Sequence, residues 1–498
     1  MSARTSKPIR VAGSAAATAP APAKARPHRR ESTGTRLSPT RSLGVFGWSE
    51  LDEVILAALA LEAPVLLVGE HGTAKTMVVE RLAGALGLEF RHYNASLLNY
   101  DDLVGIPMPE EGASQLRFVA TAGAIWDAEF VLLDELSRCR ADLQNKLFPI
   151  VYERRVAGVG LPRLRHRWAA MNPPSPDDDE LLTGRTSYFG AEPLDPALTD
   201  RFPFVVRVPG WGELSKSERR SIVAAHASAP SPLDLSILVE RCRARAALLE
   251  ATLGERLADY AVAVVDQLRA AEVHLSARRA AILRWNAVAV HAARIELGFE
   301  PEAVETSAER ALYASLPQTA EDVPVSALAL RAAHRQAWEI SGLADDDVWR
   351  TVLEETDPVE RVLLGDRLDL ADADLARLVT QALGAQTSEP RRIGLATAMF
   401  LRFRATRELT PAAWEPLVQL SRRVLEPRVT TLELPPGREL DEWRTVTRFL
   451  SSRKNRLSTL ERNFVLGGYP DLWRRCDWKR ALQWFRDDLR RFDAKSHT

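Results

Sequence analysis

A glycine-containing segment between a predicted strand and a predicted helix restricts the fold of this chain more than any other feature. Residues 63–69 (APVLLVG) form a continuous apolar run that ends in glycine, which is typical of a buried parallel strand. Residues 75–86 then carry apolar side chains at helical spacing, and the helix is predicted to stop at Gly87. The segment that joins the two reads Gly69, Glu70, His71, Gly72, Thr73, Ala74, Lys75 and Thr76.

A phosphate-binding loop requires this strand–loop–helix context. Successive backbone N–H groups and the helix N-terminus face the phosphates, and the ammonium of Lys75 reaches their oxygens. The hydroxyl of Thr76 is suited to Mg²⁺. A glycine usually precedes the lysine, so Ala74 requires an unstrained φ at that position. The alternative is a glycine turn between strand and helix with an exposed lysine.

Two carboxylates follow a second apolar run, residues 130–133 (FVLL). Asp134 and Glu135 are therefore predicted at the carboxyl end of a buried strand, where α/β sheets bind ligands. Asp134 is suited to hold Mg²⁺ through water, and Glu135 to polarise the attacking water. A strand that ends in a solvated acidic pair is the alternative, and the phosphate-loop candidate upstream argues against it.

Four further polar side chains are considered for the same site. Asn172 ends the apolar run 168–171 and can hydrogen-bond the attacking water or a phosphate, although an asparagine before proline is also an ordinary turn residue. Arg201 precedes a predicted strand, where a structural ion pair is the alternative role. Arg278 and Arg279 begin a predicted helix, and periodicity does not separate them.

Strand and helix signals alternate from residue 46 to about residue 212, which predicts a parallel sheet covered on both faces. Further buried strands are predicted at 88–93, 130–134, 167–171 and 204–208. Beyond about residue 216 the pattern is helical, with a proline-rich interruption at 427–437. We therefore expect an α/β P-loop core followed by helices. The predicted divisions are a disordered basic tail (1–43), a nucleotide-binding core (44–212), a helical lid (213–316) and an all-α C-terminal region (317–498).

Composition excludes several classes of protein. Cys139, Cys242 and Cys476 lie far apart and lack metal-ligand or disulfide-scaffold spacing. No run of 18 apolar residues is present, so a transmembrane span is not expected, and a cytoplasmic location is predicted. His71 and His92 have no second His or Cys at metal-ligand spacing, so they are interpreted as bystanders to metal chemistry.

The two ends of the chain are basic although the net charge is −1. Residues 1–43 carry nine Arg or Lys against one acidic residue, which suits a flexible tail or an organelle transit peptide. In residues 473–492, apolar side chains recur on one helix face between basic ones. That helix is interpreted either as core packing with a solvated basic face or as a docking face for an acidic partner or nucleic acid.

The order of these elements resembles that of AAA+ ATPases of the MoxR group over about residues 44–316. That group often carries alanine before the loop lysine. The segment 102–105, with a hairpin predicted at about 106–119, is similar to the insert in the group's second helix. Residues 133–138, 144–147 and 153–156 resemble its Walker B segment and the following helix, and 156–163 its next hairpin. The segment 183–189 matches least and is assigned no role.

This resemblance implies roles for the remaining candidates. Asn172 would be sensor 1, Arg201 an arginine finger offered to a neighbouring subunit, and Arg278 sensor 2 on the lid. It also implies Mg²⁺-dependent ATP hydrolysis in a ring, expected to be a hexamer, that remodels or loads a protein partner. Proteins with a von Willebrand factor A domain are among the partners that the resemblance implies. The alternatives are a motor acting on DNA or RNA and a slow nucleotide-gated scaffold. The C-terminal region is expected to bind the partner.

Overall fold

The computed structural model describes most of the chain in ten stretches. They are residues 36–109, 116–156, 158–173, 194–224, 233–321, 323–426, 436–451, 457–468, 472–475 and 477–493. The predictions for residues 1–35, for 183–189 and for most of the proline-rich interruption concern parts of the chain outside these stretches.

Five parallel strands form the central sheet. The strands of the described chain are β1 Val65–Val68, β2 Phe90–Asn94, β3 Ile106–Pro109, β4 Leu116–Val119, β5 Phe130–Asp134, β6 Arg155–Val156, β7 Val159–Gly160, β8 His166–Met171 and β9 Phe204–Arg207. The sheet order is β2-β5-β8-β1-β9, and every pairing is parallel. Each predicted strand overlaps an observed one, so the predicted α/β core is confirmed.

The two faces of the sheet pack into different hydrophobic cores because side chains alternate along a strand. Val65 and Leu67 of β1 belong to a core shared with the helical lid, which we call the lid-side core. Leu66 and Val68 point the other way, into the hairpin-side core. All four residues of β1 are buried, which explains why the strand reads as an unbroken apolar run.

Two antiparallel hairpins extend from this core, as predicted. β3 pairs with β4, with Ile106 opposite Val119. β6 pairs with β7, with Val156 opposite Val159. The first hairpin follows a short helix, and the second lies directly before β8 in the sequence.

Most of the remaining described elements are α-helices. They are α1 Pro39–Ser42, α2 Asp52–Ala60, α3 Lys75–Ala85, α4 Tyr100–Val104, α5 Ala141–Phe148, α6 Pro196–Thr199, α7 Lys216–Ala224, α8 Leu235–Ala270, α9 Ala277–Glu296, α10 Val304–Tyr313, α11 Gln318–Glu321, α12 Ala327–Ile340, α13 Val348–Glu354, α14 Pro358–Arg367, α15 Asp372–Gly384, α16 Glu389–Phe403, α17 Pro411–Leu425, α18 Arg438–Ser451, α19 Ser458–Asn463 and α20 Trp478–Asp493. None of these described helices is long and apolar enough to cross a membrane.

The end of the predicted disordered tail is ordered, which corrects the expectation for residues 36–43. Pro39 and Thr40 are buried in α1, and the backbone N–H of Thr40 donates to the carboxylate of Asp52 (2.9 Å). The N–H of Leu37 donates to Leu297 O in the lid (3.1 Å). Burial raises the pKa of Asp52 to about 6. The segment has only two large apolar side chains, of which Leu43 packs against the lid-side core, and backbone hydrogen bonds add to its attachment.

The lid packs on the α/β core as one body rather than as a separate layer. α8 and α9 pack against each other and against α2, and α12 packs on α8. The lid-side core therefore runs from Val45 to Leu353. The hydrophobic packing changes near residue 352, whereas the predicted division between lid and C-terminal region lies near residue 317.

The C-terminal helices enclose a core of their own, which extends from Val352 to Phe492. The rings of Phe464 and Phe485 stack in it, with centroids 4.4 Å apart. Two of the five basic side chains of the last helix pair within the protein: Arg486 is buried on Glu461, and Arg491 pairs with Glu360. The other three, Lys479, Arg480 and Arg490, are exposed. Core packing is thus the interpretation that these contacts favour for residues 473–492.

Candidate functional site

The loop between β1 and α3 uses glycine at two positions for different reasons. Gly69 donates its N–H to Met171 O of β8 (3.1 Å), and a Cβ at Gly69 would lie 2.8 Å from Val208 Cβ. Gly72 has φ +74°, a left-handed conformation that glycine adopts at little cost. The indole N–H of Trp48 donates to Thr73 O (3.0 Å), which fixes the position of the loop backbone.

Ala74 also adopts the left-handed conformation, with φ 67° and ψ 23°. The sequence-based expectation of an unstrained φ at this position is therefore wrong. The loop must turn there so that the first helical residue, Lys75, follows directly. An alanine in this region is strained by contact between its Cβ and the backbone.

Replacing Ala74 by glycine is expected to raise the free energy of unfolding by up to about 1 kcal/mol, because the relief of strain outweighs the greater freedom of glycine in the unfolded chain. Urea denaturation measures the change. Ala244→Gly is the matched control, since Ala244 is exposed in the middle of α8 and should lose about 1 kcal/mol. A less stable Ala74→Gly protein would contradict the strain at Ala74.

The ammonium of Lys75 is buried among the oxygens of its own loop. Nζ donates to Gly69 O (2.7 Å) and Glu70 O (2.8 Å), and Asn172 Oδ1 lies 3.4 Å away. Burial lowers the pKa of Lys75, while the nearby carboxylates of Asp134 and Glu135 oppose that shift. The side chain is not the exposed lysine of a simple turn.

Asp134 ends β5 next to the first turn of α3. Its Oδ2 accepts a hydrogen bond from Thr76 Oγ1 (2.7 Å) and lies 3.3 Å from His92 Nε2, and its Oδ1 accepts from the N–H of Glu135 (2.9 Å). Burial favours the neutral acid, but these hydrogen bonds outweigh it and lower the pKa of Asp134. The spacing of His92 predicts a bystander to metal chemistry, whereas the structure places its imidazole against Asp134.

Glu135 and Asn172 complete the cluster. Glu135 has a left-handed backbone (φ 56°), which turns its side chain out of the line of β5. Asn172 Nδ2 lies 3.5 Å from Glu135 Oε2, and Arg138 Nε lies 3.7 Å from the same oxygen. Since β1, β8 and β5 are neighbours in the sheet, their carboxyl ends bring the loop, Asn172 and the acidic pair together.

The arginine candidates lie over aromatic rings at the end of α5 and just beyond it. Arg201 stacks over the ring of Phe148 (4.5 Å), and Arg278 over that of Tyr152 (5.2 Å), four residues further along the chain. Arg278 also pairs with Asp200 (2.9 Å). Within the described part of the chain, no carboxylate forms an ion pair with Arg201. The alternative role of Arg201, a structural ion pair, is therefore not seen there. Arg279, by contrast, is almost fully buried.

The residues at the loop fit a magnesium nucleotide. Mg²⁺ bound with a nucleotide takes one or two protein oxygens, and phosphates and waters complete its octahedron. The Thr76 hydroxyl and the Asp134 carboxylate supply oxygens of that kind, and they already touch each other. No cluster of three or more His, Cys, Asp or Glu side chains suited to an all-protein metal cage occurs among the described residues.

Parts of this chain are similar to known proteins. Residues 64–202 match the family described as AAA domain (dynein-related subfamily). The chain is 31% identical over 180 residues to Chaperone MoxR1 of Mycobacterium tuberculosis, a match that covers 36% of this chain and 44% of that one. This chain thus spans less than half of that relative. A crystal structure of a Cytophaga hutchinsonii protein described as a candidate ATPase matches with a TM-score of 0.42 and 20% identity, covering 59% of this chain and 92% of that one.

The parallel sheet, the phosphate loop and the acidic pair define an AAA+ domain of the P-loop class. In sequence, a stretch of 180 residues is similar to Chaperone MoxR1. Nucleotide hydrolysis is the general activity of AAA+ proteins, and the resemblance inferred from the sequence is confirmed at this level.

Proposed function

We propose that this protein hydrolyses ATP with Mg²⁺ at the cluster formed by Lys75, Thr76, Asp134, Glu135 and Asn172. The convergence of these five side chains at one edge of the sheet is the observation that carries the proposal. The loop from Gly69 through Thr73 to Ala74 would supply backbone N–H groups to the phosphates. Bound Mg²⁺, held through Thr76 and Asp134, would neutralise phosphate charge.

Each polar side chain has a distinct task in this proposal. When nucleotide binds, the ammonium of Lys75 would replace its hydrogen bonds to the loop carbonyls with hydrogen bonds to phosphate oxygens. This exchange costs little free energy because the ammonium stays hydrogen-bonded throughout. Glu135 accepts a proton from the attacking water, and Asn172, within reach of both Glu135 and Lys75, orients that water as sensor 1. His92 holds the carboxylate of Asp134.

We propose that the active form is a ring, with a hexamer as the expected size. Arg201 and Arg278 lie on the surface formed by Phe148 and Tyr152, and this placement supports a contribution to a neighbouring subunit's nucleotide. A site completed in this way requires assembly. Arg278 would serve as sensor 2 beside Arg201.

The biological task we propose is remodelling or loading of a protein partner in the cytoplasm. The similarity to a named chaperone supports this class, and a von Willebrand factor A domain is one partner to test. The C-terminal core with its separate packing is the proposed partner-binding region. A nucleic-acid motor is the alternative: Arg486 and Arg491 are paired with Glu461 and Glu360, but Lys479, Arg480 and Arg490 of the same helix are exposed. Stimulation of ATP turnover by nucleic acid rather than by protein would favour the motor.

Lys75→Ala is expected to abolish nucleotide binding, because no other described lysine lies in the loop. Titration with a fluorescent ATP analogue in the presence of Mg²⁺ measures the affinity. Lys146→Ala is the matched control, since Lys146 rests over the ring of Tyr100 (4.8 Å) and should leave the affinity unchanged. Unchanged nucleotide affinity in Lys75→Ala would overturn the proposed site.

A further inference from the structure

One arginine of the lid is buried against the turn that carries Arg201. Arg279, in the first turn of α9, has a side chain only 1% exposed. Its Nη1 donates to Phe202 O (2.7 Å), its Nη2 donates to Thr199 O, and its Nε lies 3.3 Å from Asp200 Oδ1. The guanidinium thus binds the peptide groups on both sides of Arg201.

Two more lid residues hold the carboxylate of Asp200. Ser276 Oγ, at the N-cap of α9, donates to Asp200 Oδ1 (2.8 Å), and Arg278 Nη1 donates to Asp200 Oδ2 (2.9 Å). We call Ser276, Arg278, Arg279 and Asp200 the lid–turn clasp. Asn286, further along α9, adds a hydrogen bond from Nδ2 to Pro203 O (2.9 Å). Every residue from 199 to 203 except Arg201 therefore forms a hydrogen bond with α9 or its N-cap.

The chemistry of the clasp is better suited to orienting the Arg201 turn than to simply packing α9 against it. Apolar side chains would join α9 to the turn without the cost of burying a guanidinium. A planar guanidinium, in contrast, offers several donors in a fixed fork and defines the direction of each carbonyl that it binds. Here the carbonyls of Thr199 and Phe202 flank Arg201, so their orientation sets where the Arg201 side chain begins.

We propose that Arg279 is a positioning residue for Arg201: through the lid–turn clasp, α9 and the Arg201 turn move as one unit. This inference rests on the proposed role of Arg201 toward a neighbouring subunit. A change in lid orientation in one subunit then shifts the arginine that it offers to the next. Arg279 itself contacts no nucleotide in this scheme.

Arg279→Lys in the full-length protein tests the proposal. A single ammonium cannot reach both carbonyls and Asp200 in the same geometry, so ATP turnover should fall by about 10²-fold, the effect of a misplacement of about 1 Å, while nucleotide affinity stays unchanged. Mixing Arg279→Lys with Lys75→Ala subunits should restore turnover, because Lys75→Ala subunits present an intact Arg201 turn to the intact loops of Arg279→Lys subunits. Arg294→Lys is the control, a buried arginine of the same helix paired with Glu53.

A second variant tests the same inference in case Arg279→Lys does not fold. Asp200→Asn keeps the size of the side chain but weakens the hydrogen bonds from Ser276 and Arg278, and it should reproduce the loss and its rescue by mixing. Wild-type turnover in both variants would overturn the inference, as would a loss that mixing does not restore or that Arg294→Lys shares. Arg201→Ala is measured in parallel: if its turnover is normal, the proposed function fails, whereas loss in Arg201→Ala alone removes only the role of Arg279.

Discussion

Replacing Arg201 by alanine is expected to lower ATP turnover by about 10³–10⁵-fold while ATP binding is retained. The guanidinium lies over the ring of Phe148 and forms no ion pair among the described residues. It is therefore available to stabilise charge that develops at a neighbour's phosphates. Steady-state turnover and nucleotide titration on the same preparation measure the two properties separately.

The control for this variant is Arg207→Ala. Arg207 lies six residues further along, is exposed and pairs with Glu213 (2.6 Å), so its loss should leave turnover nearly unchanged. The defect of Arg201→Ala should also be complemented by Lys75→Ala subunits, since some interfaces then join an intact loop to an intact arginine. If mixed rings form and no activity returns at any ratio, Arg201 does not act across an interface.

Glu135→Gln is expected to bind ATP but to hydrolyse it about 10²–10⁴-fold more slowly. Glutamine keeps the size of the side chain and an acceptor oxygen for Asn172, so the site stays intact while the group that accepts the proton is lost. Single-turnover hydrolysis measures the chemical step directly. Glu153→Gln is a suitable control, because Glu153 is exposed beyond α5.

Normal turnover in Glu135→Gln would remove Glu135 from the role of base. The same variant also addresses the partner, since a form that holds ATP without hydrolysis retains whatever binds the ATP state. Proteins that purify with Glu135→Gln in ATP but not with Lys75→Ala are then candidates for the remodelled partner.

The sheet and its loop were predictable because strands that are buried on both faces consist of continuous apolar runs, which can be recognised in the sequence. β5 was predicted with its observed bounds, since Phe130–Asp134 is apolar until its last residue. The carboxyl ends of parallel strands meet at one edge, so Lys75, Asp134 and Asn172 could be placed together without knowledge of the strand order.

Other parts of the site depend on tertiary contacts that periodicity does not contain. His92 reaches Asp134 only because β2 pairs with β5, with His92 opposite Leu132. Arg278 and Arg279 share a helical turn, and only the packing of α9 on the Arg201 turn decides which one is buried. The amphipathic pattern of α12 predicts a helix with one buried face but does not say that α8 covers it.

The boundary between the two large helical cores has a consequence for the order of folding during synthesis. Val352 and Leu353 are consecutive, yet Leu353 packs in the lid-side core and Val352 in the C-terminal core. Every member of the lid-side core has thus been synthesised by residue 353. Domains fold as units from the N-terminal end as the chain emerges from the ribosome. The nucleotide site, its lid and the Arg201 turn can therefore reach their final arrangement while the last third of the chain is still being translated.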